Sequence, residues 1–266
     1  MSVLDEIIRD KRAEVEKLKS QKTIEQFKRE IEKLPRCRNF YKAVTKKNKR
    51  GINVIAEAKK ASPSAGIIRA DFDPVEIAKT YESCGADAIS VLTDEKYFQG
   101  KLEYLTAVKE AVGLPVLRKD FIIDPWQIYQ SRSAGADAIL LIADSLKLAE
   151  LSDFLILAAE LTLTVLLEVH SADMLLGVRS MIGFPKKGNS VLGINNRDLN
   201  TMDVDLNTTA RLLSLLDEDA GVVAESGIKT RADVEKLKRA GVRAVLVGQT
   251  LCESGDIERK FKELFG

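Results

Sequence analysis

The chain has 266 residues, of which 45% are hydrophobic and 30% charged, and its formal net charge is +1. That length supports one large core, near the roughly 250 residues typical of an eight-stranded α/β barrel, and the even charge excludes a general attraction to nucleic acid or anionic membrane. Cys37, Cys84 and Cys252 are far apart and form no Cys-x-x-Cys pair, which argues against a disulfide framework or a zinc site and fits a reducing cytoplasm.

The chain opens with a charged amphipathic stretch, not a basic segment followed by an apolar run, so neither an export signal nor a membrane span is expected. Residues 1–50 read as a helical extension. Ser2 and Thr23 are N-cap candidates, Leu4, Ile7, Ile8, Val15 and Leu18 and then Phe27, Ile31 and Leu34 recur at helical spacing, and Pro35 closes the second helix. The basic run Lys46-Lys47-Asn48-Lys49-Arg50 lacks interleaved aromatics and reads as a solvated turn.

From Asn53 onward, eight short β-type runs, starting near Asn53, Ala88, Val116, Ala138, Thr164, Val191, Val222 and Ala244, alternate with helical stretches from Pro74, Leu102, Pro125, Ser145, Ser171, Leu206, Arg231 and Asp256. Repeated βα units imply a parallel sheet, and eight of them imply closure. The expected fold is α/β: a single (β/α)8 TIM barrel domain over residues 1–266 with the helical extension in front. A weak repeat, Cys84-Gly85-Ala86-Asp87, Ala134-Gly135-Ala136-Asp137 and Ala240-Gly241-Val242-Arg243, marks helix ends before strands. Lys60 to Asp73 is a long connection and a lid or binding-loop candidate, whereas Gly183 to Gly188 precedes a strand and belongs to the opposite face.

Several apolar runs end in charge or amide: Ile55-Ala56-Glu57-Ala58-Lys59, Val116-Leu117-Arg118-Lys119, Leu166-Leu167-Glu168 and Ile194-Asn195-Asn196-Arg197. A strand buried on both faces carries charge only where burial stops, so these ends mark one barrel mouth. Four such ends point to function over a buried ion-pair network, which must offset several kcal/mol of desolvation per ion. Ala224-Glu225-Ser226-Gly227-Ile228 and Val247-Gly248-Gln249-Thr250, after the last two strands, suggest a phosphate cup of backbone N–H groups. His170, the only histidine, is expected to turn away from the mouth in a packing or capping role. No Walker or Gly-x-Gly-x-x-Gly loop and no metal-ligand set stand out.

The segments Ala56-Glu57-Ala58-Lys59-Lys60-Ala61-Ser62-Pro63-Ser64, Leu117-Arg118-Lys119-Asp120-Phe121, Leu167-Glu168-Val169-His170, Gly193-Ile194-Asn195-Asn196-Arg197-Asp198-Leu199 and Glu225-Ser226-Gly227-Ile228 resemble, in this order, indole-3-glycerol phosphate synthase. The resemblance spans nearly the whole chain. It implies cofactor-free and metal-free ring closure of 1-(2-carboxyphenylamino)-1-deoxyribulose 5-phosphate with loss of carbon dioxide and water. It makes Lys119 the general acid at the ketone oxygen, Lys59 the partner of the substrate carboxylate, and Glu57 and Glu168 the carboxylates that stabilise the iminium or take a proton. Asn195 and Arg197 would position these groups. Ser62, Ser226, Gly227, Gly248 and Gln249 would hold the phosphate, and Phe98 and Phe121 would flank the aromatic ring.

The implied partner is a small phosphosugar, with no nucleic acid and no membrane, and a monomer is compatible with the sequence. Ala58, Ala65, Lys101 and the Gly183 to Gly188 insertion depart from the family pattern; Ala65 bears on loop contacts and Lys101 on the phosphate or ring surroundings. A phosphosugar isomerase such as phosphoribosylanthranilate isomerase would use a Cys or Asp acid–base pair, where this mouth has two lysines and two glutamates. A non-catalytic phosphometabolite binder would have no need of Lys59, Lys119 and Glu168 together.

Overall fold

The computed structural model describes residues 2–181, 187–198, 201–216 and 221–266. Eight parallel strands close on themselves: β1 Asn53–Ala58, β2 Ala88–Leu92, β3 Val116–Lys119, β4 Ala138–Ile142, β5 Thr164–Val169, β6 Ser190–Asn195, β7 Val223–Glu225 and β8 Ala244–Val247. Sequential strands are neighbours, and β8 pairs with β1 to complete the barrel. The expected barrel is therefore present, with strand starts within one residue of those read from the sequence. Of the Gly183 to Gly188 segment, residues 183–186 lie outside the described residues.

Period-two alternation sorts the strand residues into two cores. Outward side chains such as Val54, Ile89, Val116, Ile139, Leu167 and Val245 pack against the helices. Inward ones, Ile55, Ala88, Leu117, Ala138, Leu140, Leu166, Val191, Val223, Ala244 and Leu246, fill the barrel. Helices α4 Pro74–Ser83, α5 Leu102–Ala111, α6 Pro125–Ser133, α7 Leu148–Glu160, α8 Ala172–Arg179, α9 Asn207–Leu213, α10 Arg231–Arg239 and α11 Ile257–Phe265 form the outer layer. Asp73 and Asp124 cap α4 and α6 ahead of a proline, as their sequence suggests. The helix expected from Ser145 starts three residues later, at Leu148, because Ala143–Ser145 forms a 3-10 turn first.

The repeated aspartates have a structural use. Asp87 accepts the Val54 N–H at 2.9 Å and Asp137 accepts the Val116 N–H at 2.9 Å, so each helix-to-strand turn latches the adjoining strand. Lys46 and Arg50 pair with Asp87 at 2.8 and 2.9 Å, so the basic run is tied to the barrel floor at two points and is not wholly a solvated turn.

Three helices precede β1, one more than the spacing suggests: α1 Val3–Lys19, α2 Ile24–Ile31 and α3 Phe40–Thr45. Ser2 and Thr23 both form capping boxes. The short α3 escapes sequence reading because one and a half turns show no periodicity, yet Phe40 and Val44 join the inner core. Asn53, at the start of β1, donates to the carbonyls of Val44 and Lys46 at 2.9 Å, which fixes α3 at the floor. On α2, Phe27 meets Trp126 of α6 edge-on at 5.1 Å.

At the other end, Leu4 and Ile7 of α1 extend the inner core over the mouth. Lys11 anchors that helix. It is 2% exposed, and its ammonium lies 2.8 Å from Asp94, 3.1 Å from Asp120 and 2.9 Å from Glu14. Asp120 is held in turn by Arg118 at 2.9 Å and Thr93 at 2.5 Å. Removing one member of such a network leaves buried carboxylates uncompensated. Lys11→Ala is expected to destabilise the protein by about 3–5 kcal/mol, read as a lower denaturant midpoint in urea unfolding; an unchanged midpoint would show that α1 docks by apolar contact alone.

Candidate active site

The inward column of each strand turns polar towards its C-terminal end. Ile55 is followed two residues on by Glu57 and then Lys59, Leu117 by Lys119, Leu166 by Glu168, Val191 by Gly193 and then Asn195, and Val223 by Glu225. Glu57, Lys59, Lys119, Glu168, Asn195, Arg197 and Glu225 all line one cavity. Arg118, between the inward positions, points outward to Gln130 and Ser131 of α6 at 2.9 and 3.0 Å.

Lys119 Nζ lies 3.4 Å from Glu168 Oε2 and 3.4 Å from Glu225 Oε2, and it keeps 17% of its side chain exposed to the cavity. Burial works against its charge, but Glu168, Glu225 and Glu57 outweigh it and hold the ammonium firmly protonated. Lys59 Nζ pairs with Glu57 Oε1 at 2.7 Å, and Ser90 donates to Glu57 Oε2 at 3.2 Å. Burial disfavours the Glu57 carboxylate, yet Lys59 and Lys119 keep its pKa below the ordinary value. Asn195 Nδ2 donates to Glu168 Oε1 at 3.1 Å. Arg197 donates to the Met202 carbonyl at 2.8 Å, which holds the guanidinium along the cavity wall.

The expected phosphate residues Ser62, Ser226, Gly227, Gly248 and Gln249 line the same cavity, with Thr250 beside them. Ser226 and Gly227 both have left-handed backbones, φ 66° and 79°. A Cβ at Gly227 would strike Val204, and one at Gly248 would come within 2.5 Å of Glu57 Oε1. Glycine lets the rim pack against Val204 at position 227 and against Glu57 at position 248. Gly248 also opens the one-turn helix Gln249–Cys252. Ser62 sits in a small hairpin, Ala61–Ser62 against Gly66–Ile67, within the long connection after β1. Phe98 and Phe121 lie 6.1 Å apart at 38°, with Lys59 Nζ 5.8 Å from the Phe98 ring. Leu4 and Ile7 complete the apolar side.

Two residues depart from expectation. His170 does not turn away: Val169 separates it from Glu168, so alternation returns it to the same side, and its Nε2 lies 3.1 Å from Glu168 Oε1. Glu225 belongs with the charged cluster as well as beside the phosphate rim, and the run Val222-Val223-Ala224-Glu225 carries the same terminal-charge signal that marks Glu168. Of the departures from the family pattern, Lys101 and Ala65 do not line the cavity. Lys101 Nζ is 6.0 Å from the Tyr104 ring.

A family model of indole-3-glycerol phosphate synthase matches residues 4–264. The chain belongs to the indole-3-glycerol phosphate synthase family. It is 45% identical over 263 residues to the indole-3-glycerol phosphate synthase of Acetivibrio thermocellus, covering 98% of each chain. It is 46% identical over 264 residues to that of Geobacillus thermodenitrificans, covering 99% of this chain and 97% of the relative. The barrel also superposes on 3-hexulose-6-phosphate synthase from Salmonella typhimurium with a TM-score of 0.61 at 15% identity, over 80% of this chain and 96% of that one, a likeness of fold alone.

If the rim is the anion cradle of this family member, a carboxylate placed in it opposes a bound anion. Gly227→Asp is expected to weaken inorganic phosphate binding about 10-fold or more through repulsion and crowding, measured by calorimetric titration. Wild-type affinity in that variant would locate the anion elsewhere.

Proposed function

We propose that Lys119, Glu168, Lys59, Glu57, Asn195 and Arg197 carry out the family's reaction in this chain, a carboxy-lyase step of tryptophan biosynthesis. In that step 1-(2-carboxyphenylamino)-1-deoxyribulose 5-phosphate becomes indole-3-glycerol phosphate, carbon dioxide and water. The observation that carries the reading is the position of Lys119, an ammonium 3.4 Å from two carboxylates at the bottom of a cavity with a glycine-containing rim.

The substrate's phosphate rests on Ser62, Ser226, Gly227, Gly248 and Gln249, and its ring lies between Phe98 and Phe121. Lys119 gives a proton to the ketone oxygen as the carboxylate-bearing ring carbon attacks, because a fixed cation stabilises the developing oxyanion most in a dry site. The new carbon–carbon bond leaves a cationic iminium, which Glu57 and Glu168 stabilise. Loss of carbon dioxide returns its electron pair to the ring. Glu168 then takes a proton from the carbon beside nitrogen while the Lys59 ammonium gives one to the hydroxyl, which departs as water. Asn195 orients Glu168, and Arg197 positions substrate through a planar, permanently charged group.

The same reading takes residues 1–266 as one domain, with residues 1–50 contributing α1 as a roof. It assigns cytoplasmic work on a small phosphosugar, with no nucleic-acid or membrane partner. The unpaired state of Cys37, Cys84 and Cys252 fits that compartment.

Indole fluorescence developing after addition of the carboxyphenylamino sugar phosphate tests the activity directly. Lys119→Ala and Glu168→Gln are each expected to lower kcat by about 10² to 10⁴, the range for a positioned acid or base. Near-full turnover in both variants would defeat the assignment.

A further inference from the structure

Glu168 and Glu225 approach one another because the strand between them carries a glycine. Gly193 of β6 pairs in register with Glu168 of β5, and a Cβ on Gly193 would come within 2.5 Å of Glu225 Oε1. The Glu225 side chain therefore crosses the gap left by Gly193 towards Glu168. Two carboxylates sharing one ammonium at the base of a cavity do not carry their second negative charge easily. Their surroundings are unequal. Glu168 receives the Asn195 amide and the Lys119 ammonium and faces the His170 ring, whereas neither oxygen of Glu225 has a hydrogen-bond partner among the described residues and only Lys119 offers it charge.

Within this set, His170 and Glu225 lie outside the proposed chemistry. His170 Nδ1 lies 3.0 Å from Asp144 Oδ2, on the 3-10 turn after β4, and its Nε2 lies 3.1 Å from Glu168 Oε1. We propose that His170, braced by Asp144, is a positioning residue that keeps Glu168 ionised and leaves the proton shared by the two carboxylates on Glu225. As an imidazolium it donates from Nδ1 to Asp144 and faces Glu168 Oε1 from Nε2 as an ion pair, so it supplies Glu168 with a second cation besides Lys119. The groups that face Glu168 are then Lys119 from β3, Asn195 from β6, Glu225 from β7 and His170 itself; those that face His170 are Glu168 and Asp144.

The electrostatics agree in direction. Burial opposes the charge on His170, but Asp144 and Glu168 push its pKa up to about 10. Burial also opposes the Glu168 carboxylate, which Lys119 and His170 hold well below the ordinary range, while burial and the charge of Glu168 push Glu225 up. The inference rests on Glu168 acting as a base, and a base must be ionised to work.

Because the chain has one histidine, its imidazole NMR signals titrate without ambiguity. The ring is expected to stay protonated through pH 8 in the wild type and to titrate lower in Asp144→Asn. Titration near the ordinary value of about 6.5 in the wild type would overturn the proposal. In His170→Asn and His170→Gln, the acid limb of the kcat/KM profile should move up by about one pH unit as Glu168 loses a stabilising cation. A uniform loss of activity with an unmoved profile would reduce His170 to a structural role and overturn the proposal. Glu168→Gln separates the two questions: a fall in the His170 pKa reports the contact, while retained turnover would sink the base assignment and leave the contact standing.

Discussion

Three glutamate carboxylates, Glu57, Glu168 and Glu225, share the field of one ammonium, Lys119, at the end of a barrel whose interior is otherwise filled by aliphatic side chains. In such a place charge survives only in company. The cost of desolvating each ion is several kcal/mol, and the cluster offsets it by mutual attraction together with hydrogen bonds from Ser90 and Asn195. The same arrangement that makes the cluster tolerable makes it preorganised, since its members are fixed before any substrate arrives.

The apolar architecture around this cluster keeps its geometry. Below it, Ile55, Leu117, Leu140, Leu166 and Leu246 pack the barrel interior, and Phe40 and Val44 of α3 close the floor. Above it, α1 lays Leu4 and Ile7 against the cavity and is held by Lys11 between Asp94 and Asp120. Asp120 directly follows Lys119, so the anchor of the roof and the central ammonium share one strand end.

Glycine positions set how closely the charged groups approach. Gly193 opens space for Glu225, and Gly248 lets the rim of the anion cradle rest against Glu57. Neither glycine has a positive φ, so their value here is the missing side chain and not backbone freedom. Ser226 is the opposite case, a residue with a side chain held at φ 66° beside Gly227, which is local strain placed at the cavity edge.

Much of this was legible from residues alone. Charged ends on apolar runs located Glu57, Lys59, Lys119, Glu168, Asn195 and Arg197 in one cavity, because period-two alternation and the cost of buried charge act locally. The same rule also covers Glu225 and, two residues beyond Glu168, turns His170 inward. The short α3 and the latch role of Asp87 and Asp137 gave no periodic pattern to detect. What the sequence by itself determined was the alternation of strands and helices, the inward parity of each strand and the family to which the order of motifs belongs. Only the tertiary structure decided which charges meet: Lys119 reaches Glu168 across 49 residues because β3 and β5 curve around a common interior, and distances across that interior depend on closure of the whole barrel.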